Sequence, residues 1–203
     1  VNPITRTLER LLLGATLLFV SFAVLATPKI EHWTLTNGTR VYFVEARNLP
    51  MVTLNVVFDA GSARDPQGRN GLSMLTNHLL NYGTGELDAD AIAATFEGLG
   101  AEFGSSNDRD MAGVSLRSLS DRALLDPALD LFARVLAAPS FPAASFERER
   151  QRALLGLKQA EASAGDVAAK AFYAQLYKGH PYALPPDGSE AGLKALTRSD
   201  LMA

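Results

Sequence analysis

Polar and apolar residues alternate twice near the start of the chain, in HWTLT from His32 and in TRVYFVE from Thr39. A period of two marks a strand with one face toward a core. Asn37-Gly38 between the two runs is a strong hairpin signal. Asn48-Leu49-Pro50 breaks the pattern, and Met51 to Ala60 (MVTLNVVFDA) predicts a third strand rich in β-branched residues. The polar stretch from Gly61 to Gly71 predicts a loop. The period then changes. Leu72, Leu75 and Leu79 share one face of a short helix over 72–80, which Tyr82-Gly83-Thr84-Gly85 ends. Asp88 and Asp90 complement the dipole of a second helix through DAIAATFEGL, closed by Gly98 and Gly100. Ala101–Ser106 and Met111–Leu119 predict paired strands across a turn at Asn107-Asp108-Arg109. A long helix is expected over 120–136 with Ser120 as its cap. Two more are expected at Ser145–Ala162 and Asp166–Tyr177, parted near Gly165, and a short one starts near Thr197. Strands, helices, strands, helices in that order predict an α+β fold.

The first 26 residues read differently. Arg6 and Arg10 precede an apolar run from Leu11 to Ala26, and Val24-Leu25-Ala26 offers compact residues for a signal peptidase. The run is short for a membrane span, which takes about 20 apolar residues. Residues 1–26 are therefore expected to be a cleaved signal rather than an uncleaved anchor. Either way the remainder, from residue 29, is exported, and a bacterial periplasm is the expected compartment. Membrane contact is expected only through this segment.

Composition narrows the chemistry. A formal charge of −3 and the lack of aromatic–basic interleaving argue against nucleic acid as a partner. The chain has no cysteine, which excludes disulfides and thiolate metal sites. Any imidazole ligand must come from His32, His78 or His180.

Several segments, in order, resemble the N-terminal domain of the pitrilysin/insulinase (M16) metallopeptidases. They are Leu35-Thr36-Asn37-Gly38-Thr39-Arg40-Val41; the strand Val52–Phe58 leading to Gly61-Ser62; the run from Gly71 to Thr84 (GLSMLTNHLLNYGT); Phe146-Glu147-Arg148-Glu149-Arg150; and Gly179-His180-Pro181-Tyr182, Gly188 and Leu196–Leu201 (LTRSDL). The resemblance covers nearly all of the chain after residue 28. It implies an α+β domain of the LuxS/MPP-like type, with an antiparallel-rich mixed sheet packed against helices. The chain is expected to hold most of one such domain, incomplete at its C-terminus, and none of a second.

The resemblance also implies a zinc site built on H-x-x-E-H in one helix. Two histidines at i and i+4 bind the metal, the intervening Glu takes a proton from zinc-bound water, and a Glu from a later helix completes the set. At the matching positions this chain has Met74 for the first histidine and Asn77 for the base. Only the second histidine is kept, as His78. The third ligand falls at Leu155 or Gly156, while Glu149 matches a supporting position. A thioether is a poor zinc donor, and an Asn amide does not titrate near neutral pH. No metal cofactor and no catalytic residue are therefore expected. His78 is expected to be a hydrogen-bonded remnant, Met74 core, His32 surface, His180 a loop residue with a structural hydrogen bond, and Glu147–Arg152 a solvated helix face.

Family members hold extended peptides by strand addition, and the matching strand here is Phe103-Gly104-Ser105-Ser106. An ordinary sheet strand is the alternative. The expected function is a non-catalytic subunit that pairs with a zinc-bearing homologue to form a peptide-degrading chamber. An active zinc endopeptidase and a stand-alone peptide-binding protein of the envelope are the competing readings.

Overall fold

The computed structural model describes residues 28–203. They fall into two compact units, divided between Leu49 and Pro50. The expected signal segment, 1–26, lies outside the described residues.

In the first unit, strands β1 (Ile30–Thr34) and β2 (Arg40–Val44) pair antiparallel, with Trp33 opposite Val41. The connection is a three-residue loop. Gly38 N–H donates to the Leu35 carbonyl and Leu35 N–H to the Thr39 carbonyl, each at 2.9 Å. Gly38 adopts φ +86°, which a residue with a Cβ resists.

The second unit, Pro50–Ala203, runs β3 (Met51–Phe58), α1 (Leu72–Leu79), a small ribbon of β4 (Gly83–Thr84) and β5 (Leu87–Asp88), α2 (Ala89–Gly98), β6 (Glu102–Asn107), β7 (Ala112–Leu119), α3 (Arg122–Ala137), α4 (Ala143–Ala160), α5 (Ala164–Leu176), α6 (Glu190–Ala195) and α7 (Arg198–Leu201). All described strand pairings are antiparallel. The α+β class and the helix-packed sheet are as expected from the sequence.

The main sheet has the order β3-β7-β6, so β6 forms one of its edges. Register decides which residues face inward. Leu54, Leu116 and Phe103 lie side by side, as do Val56, Val114 and Ser105. On β7 the buried residues are Ala112, Val114, Leu116 and Ser118, every second position. This face packs on Ile92 and Phe96 of α2 and on Ala128, Leu131, Phe132 and Val135 of α3. Burying each Leu, Ile or Phe side chain contributes about 1.5–3 kcal/mol, which fixes the sheet register. A second cluster joins Leu75 and Leu79 of α1 to Phe141, Phe146, Leu193, Leu196 and Leu201. It ties the site helix to the C-terminal helices.

Several boundaries differ from the sequence expectation. The long helix is capped by Asp121, whose carboxylate accepts from Ala123 N–H at 2.9 Å. Ser120 N–H instead donates to the Pro50 carbonyl, extending the sheet. Gly165 lies inside α5, and Ser163 is the cap that parts α4 from α5. Helix α6 has no counterpart among the elements expected from the sequence. The short helix near Thr197 forms with a capping box between Thr197 and Asp200.

Candidate functional site

The site is built on α1. Its N-terminus has Gly71 at φ +105° and no side-chain cap of its own. Asp65, six residues upstream, does that work. Its carboxylate accepts from Gly71 N–H at 2.7 Å and Ser73 N–H at 2.8 Å. A Cβ at Gly71 would stand 2.6 Å from Leu193 Cδ2 and displace that side chain, and the φ of +105° itself disfavours any residue but glycine. Helical spacing then brings Met74, Asn77 and His78 (i, i+3 and i+4) to neighbouring positions on α1.

Each of the three has a different environment. Met74 is half-buried and packs on the second core cluster. Asn77 is buried, and its Nδ2 donates to the Gly113 carbonyl of β7 at 3.3 Å. An amide suits that partner, whereas a carboxylate would have no proton to offer it. The His78 side chain is 47% exposed. Its Nε2 lies 3.3 Å from Glu149 Oε2 and 3.2 Å from the Tyr82 hydroxyl.

Glu149 is the centre of this cluster. Its side chain is only 2% exposed, although it belongs to a run of charged residues. Arg152 Nη1 donates to its Oε2 at 2.8 Å and Arg148 Nε to its Oε1 at 3.2 Å. Burial works against the ionised form. The hydrogen bond from His78 and the guanidinium groups of Arg152 and Arg148 outweigh it, and the Glu149 carboxyl sits below the usual carboxylate range. Tyr82 responds in the opposite sense. Burial and the nearby Glu149 charge push its phenol up, so it stays protonated. The expectation that Glu147–Arg152 is a solvated face is thus corrected. Glu149 is buried and Arg150 reaches the Leu196 carbonyl at 3.0 Å, because α4 turns this side toward α1 and α6.

The two positions expected to have lost the third ligand lie further along α4. Leu155 is exposed, and a Cβ at Gly156 would meet nothing within 4 Å. Gly156 is seven residues from Glu149, about two turns on the same helix face. Leu155 lies well round the helix from that line. Among the described residues no three His, Cys, Asp or Glu side chains come together. A catalytic zinc takes three protein ligands. Here the donors are His78 and Glu149, and each is already committed. The carboxylate is an acceptor only, so it draws the Nε2 proton of His78 toward itself. Two guanidinium groups already balance its charge. These residues do not fit the zinc that the H-x-x-E-H resemblance implies.

The other histidines stand as expected. His32 is exposed beside Tyr42. His180 Nδ1 accepts from Tyr182 N–H at 3.2 Å in the loop. Beside the site, Thr84 is buried and its hydroxyl lies 3.1 Å from the Arg134 carbonyl and 3.0 Å from that of Ala138, which fixes the chain after α1 against α3. The sequence reading missed Tyr82, Arg148 and Arg152. The i, i+4 spacing of His78 and Tyr82 and the i, i+3 spacing of Glu149 and Arg152 were the available signals.

The expected peptide strand is brought to a sheet edge. Phe103 turns its ring inward, 5.9 Å from the ring centroids of both Phe96 and Phe132. Gly104 and Ser106 lie on the opposite face, paired with Ser115 and Gly113. A groove of about 280 Å³ runs over Asn55, Val57, Gly104, Ser106, Gly113 and Ser115. It does not include the α1–α4 cluster.

Comparison with known proteins places this arrangement. The family model for insulinase, peptidase family M16, matches residues 40–187. The chain is similar to the crystal structure of a peptidase M16 inactive domain from Pseudomonas fluorescens, with 41% identity and a TM-score of 0.84, over 86% of this chain and 42% of that one. It is 29% identical over 89% of its length to the probable mitochondrial-processing peptidase subunit beta of Schizosaccharomyces pombe. It is 28% identical over 88% of its length to cytochrome b-c1 complex subunit 1 of Bos taurus. It spans 39% and 37% of those two relatives. These relatives come from a bacterium and from mitochondria. The family match extends over well more than half of the sequence, and the chain belongs to peptidase family M16, the insulinase family.

Proposed function

We propose that this chain is a non-catalytic M16 subunit that pairs with a zinc-bearing homologue to form a peptide-degrading chamber. One observation supports the reading: among the described residues no three His, Cys, Asp or Glu side chains come together, in keeping with Met74, Asn77 and Leu155 or Gly156 at the positions that the resemblance gives to two ligands and the proton acceptor. Without a titratable group at 77 there is no general base, a loss of about 10²–10⁴ in rate. Without three ligands there is no zinc-activated water to supply the nucleophile. The kept pair, His78 and Glu149, serves structure. The similarity to a Pseudomonas domain described as inactive supports this reading. So do relatives whose names describe them as subunits. In this proposal residues 1–26 are the export signal, residues 29–203 supply most of one N-terminal M16 domain, and the compartment is the bacterial periplasm.

The place of β6 at an edge of its sheet, among the described residues, favours a part for this subunit in holding peptide. Backbone pairing needs no particular side chains, so strand addition at Phe103–Ser106 outlives the loss of the zinc ligands. The small residues of the neighbouring groove leave space for side chains of an added strand.

Co-purification from the native host tests the proposal. The expected result is recovery with an M16 chain carrying an intact H-x-x-E-H, and chelator-sensitive peptide cleavage by the pair alone. Cleavage by the isolated chain with stoichiometric zinc, abolished by His78→Ala, would overturn it in favour of an active peptidase. Recovery without any catalytic partner would point instead to a stand-alone peptide binder. In a separate arm, extended peptides N-methylated at alternate residues should lose binding that their unmethylated forms show.

A further inference from the structure

Helix α5 turns its charge toward its own unit. Its two charged residues, Asp166 and Lys170, line a cleft against α4, together with Val167, Ala169 and Tyr173. The opposite side carries Ala164, Ala168, Phe172 and Leu176, each four residues from the next, in one oblique line along the helix. Ala171 and Gln175 lie beside that line, and Gln175 is the one polar side chain there. All of these residues are exposed, Phe172 and Leu176 by more than half. A surface helix ordinarily presents its charges to water and its apolar stripe to the core. This helix does the reverse, and an exposed apolar side without charge marks a docking surface.

The order of side-chain sizes identifies the occupant. The small residues, Ala164 and Ala168, lie in the N-terminal half of the line, and the large ones, Phe172 and Leu176, in the C-terminal half. Two copies of α5 laid antiparallel and centred on position 170 set Phe172 against Ala168 and Leu176 against Ala164, and two-fold symmetry repeats both contacts. Large side chains then fill the space that small ones leave, as close packing requires. A parallel pair would crowd Phe172 on Phe172 and leave Ala164 facing Ala164 across a gap. A two-fold contact needs one surface that complements itself, and the gradient from small to large gives this helix such a surface. Lys170, central in the sequence of the pair, lies on the cleft side and stays out of the contact. We propose that α5 is a self-association surface on which the α5 of a second copy of this chain docks antiparallel. A helix of 13 residues is about 20 Å long. Two of them bury less than the roughly 1,200 Å² of a standard interface. The dimer is therefore weak, with a dissociation constant of about 10⁻⁵–10⁻³ M. No residue of the α1–α4 cluster or of β6 takes part, so the inference does not rest on the subunit reading.

The test is sedimentation velocity on the full chain from about 10 µM to 1 mM, with hydrogen exchange at both ends of that range. A monomer–dimer equilibrium is expected, with amide exchange from Ala168 to Leu176 slowing as the dimer fills. Ala168→Lys and Phe172→Glu should each weaken the dimer at least about tenfold. Mixing these two variants should restore association at least about tenfold over either alone, because the antiparallel register sets the new Lys against the new Glu. A mixture that associates no better than its components would overturn the register. A dimer that both variants leave unchanged would place the contact elsewhere and overturn the surface. A chain that stays monomeric at about 1 mM, with α5 protected only on adding an M16 homologue, would overturn the second copy as occupant and give the face to that partner. The concentration series and the exchange readout use the unaltered chain, so they stand whether or not the variants fold.

Discussion

Replacing Glu149 by Gln removes one charge from the centre of the site and changes almost no volume. The carboxylate has two acceptor oxygens. Oε2 faces His78 and Arg152, at 3.3 and 2.8 Å, and Oε1 faces Arg148 at 3.2 Å. An amide keeps one oxygen and turns an NH₂ group toward a donor. At least one hydrogen bond to an ionised group is lost, worth about 1.5–3 kcal/mol. Both arginines are more than half exposed, so water screens part of their contribution and the lower end applies. The expected loss is about 1.5 kcal/mol, or a fall in Tm of roughly 3–6 °C for a unit of this size. The pH dependence supplies the sign. The folded Glu149 carboxyl titrates below its unfolded value. Its contribution is therefore complete above about pH 4.3 and is lost as the pH falls through the folded pKa. Urea denaturation should show a gap between wild type and Glu149→Gln that is smaller at about pH 3.5 than near pH 7. A gap of the same size at both values, or none near neutrality, would refute the assignment of Glu149 as a buried, ionised tie between α1 and α4.

Other substitutions probe the same framework. Asn77→Asp sets a carboxylate against the Gly113 carbonyl; burial raises the folded pKa of the new acid, so a deficit of about 1–3 kcal/mol should appear above that pKa and vanish in acid, when the protonated acid can donate. Asp121→Ala removes the cap of α3 and should cost about 1 kcal/mol, read as a lower urea midpoint with an unchanged slope. Arg198→Ala frees the Ser140 and Phe141 carbonyls that its guanidinium holds at 2.8 and 2.6 Å, beside the positive φ of Phe141, and should cost about 1–3 kcal/mol by thermal unfolding. Met74→His and Gly156→Glu together with His78 supply the three ligands that the resemblance implies, and elemental analysis should then find zinc retained at near one ion per chain; zinc retained equally by the unaltered chain would contradict the ligand assignment.

Much of the fold was legible because periodicity reports burial directly. Leu72, Leu75 and Leu79 could only be a helix face, and the alternation in β7 could only be one side of a sheet. Boundaries depended on finer competition. Ser120 and Asp121 are both good caps, and the demand of Pro50 for a partner on the neighbouring strand decided between them. Gly165 looked like a breaker, but the Ser163 cap started α5 before it. The site was legible only through the resemblance, which sets Met74 and Asn77 where a ligand and the proton acceptor are expected. Its replacement was not. Glu149 lies 71 residues from His78, and nothing local marks it as the buried member of a charged run. Asp65, capping α1 from six residues upstream, is invisible for a similar reason: the turn through Ser62–Arg64 has to form before the carboxylate can reach.

Helix α5 has no buried residue along its 13 positions, and Phe172 and Leu176 are 61% and 58% exposed. Its ties to the rest of the unit include contacts near its C-terminal end, Arg109 over the Tyr173 ring at 4.3 Å and Tyr177 against Tyr182. Detaching it would uncover little that water does not already touch, so the free energy of this local opening lies far below that of the sheet. Backbone amides from Val167 to Ala171 should accordingly trade their protons for deuterium well ahead of those in β7, and α5 is the segment whose position other molecules can alter at the least energetic cost.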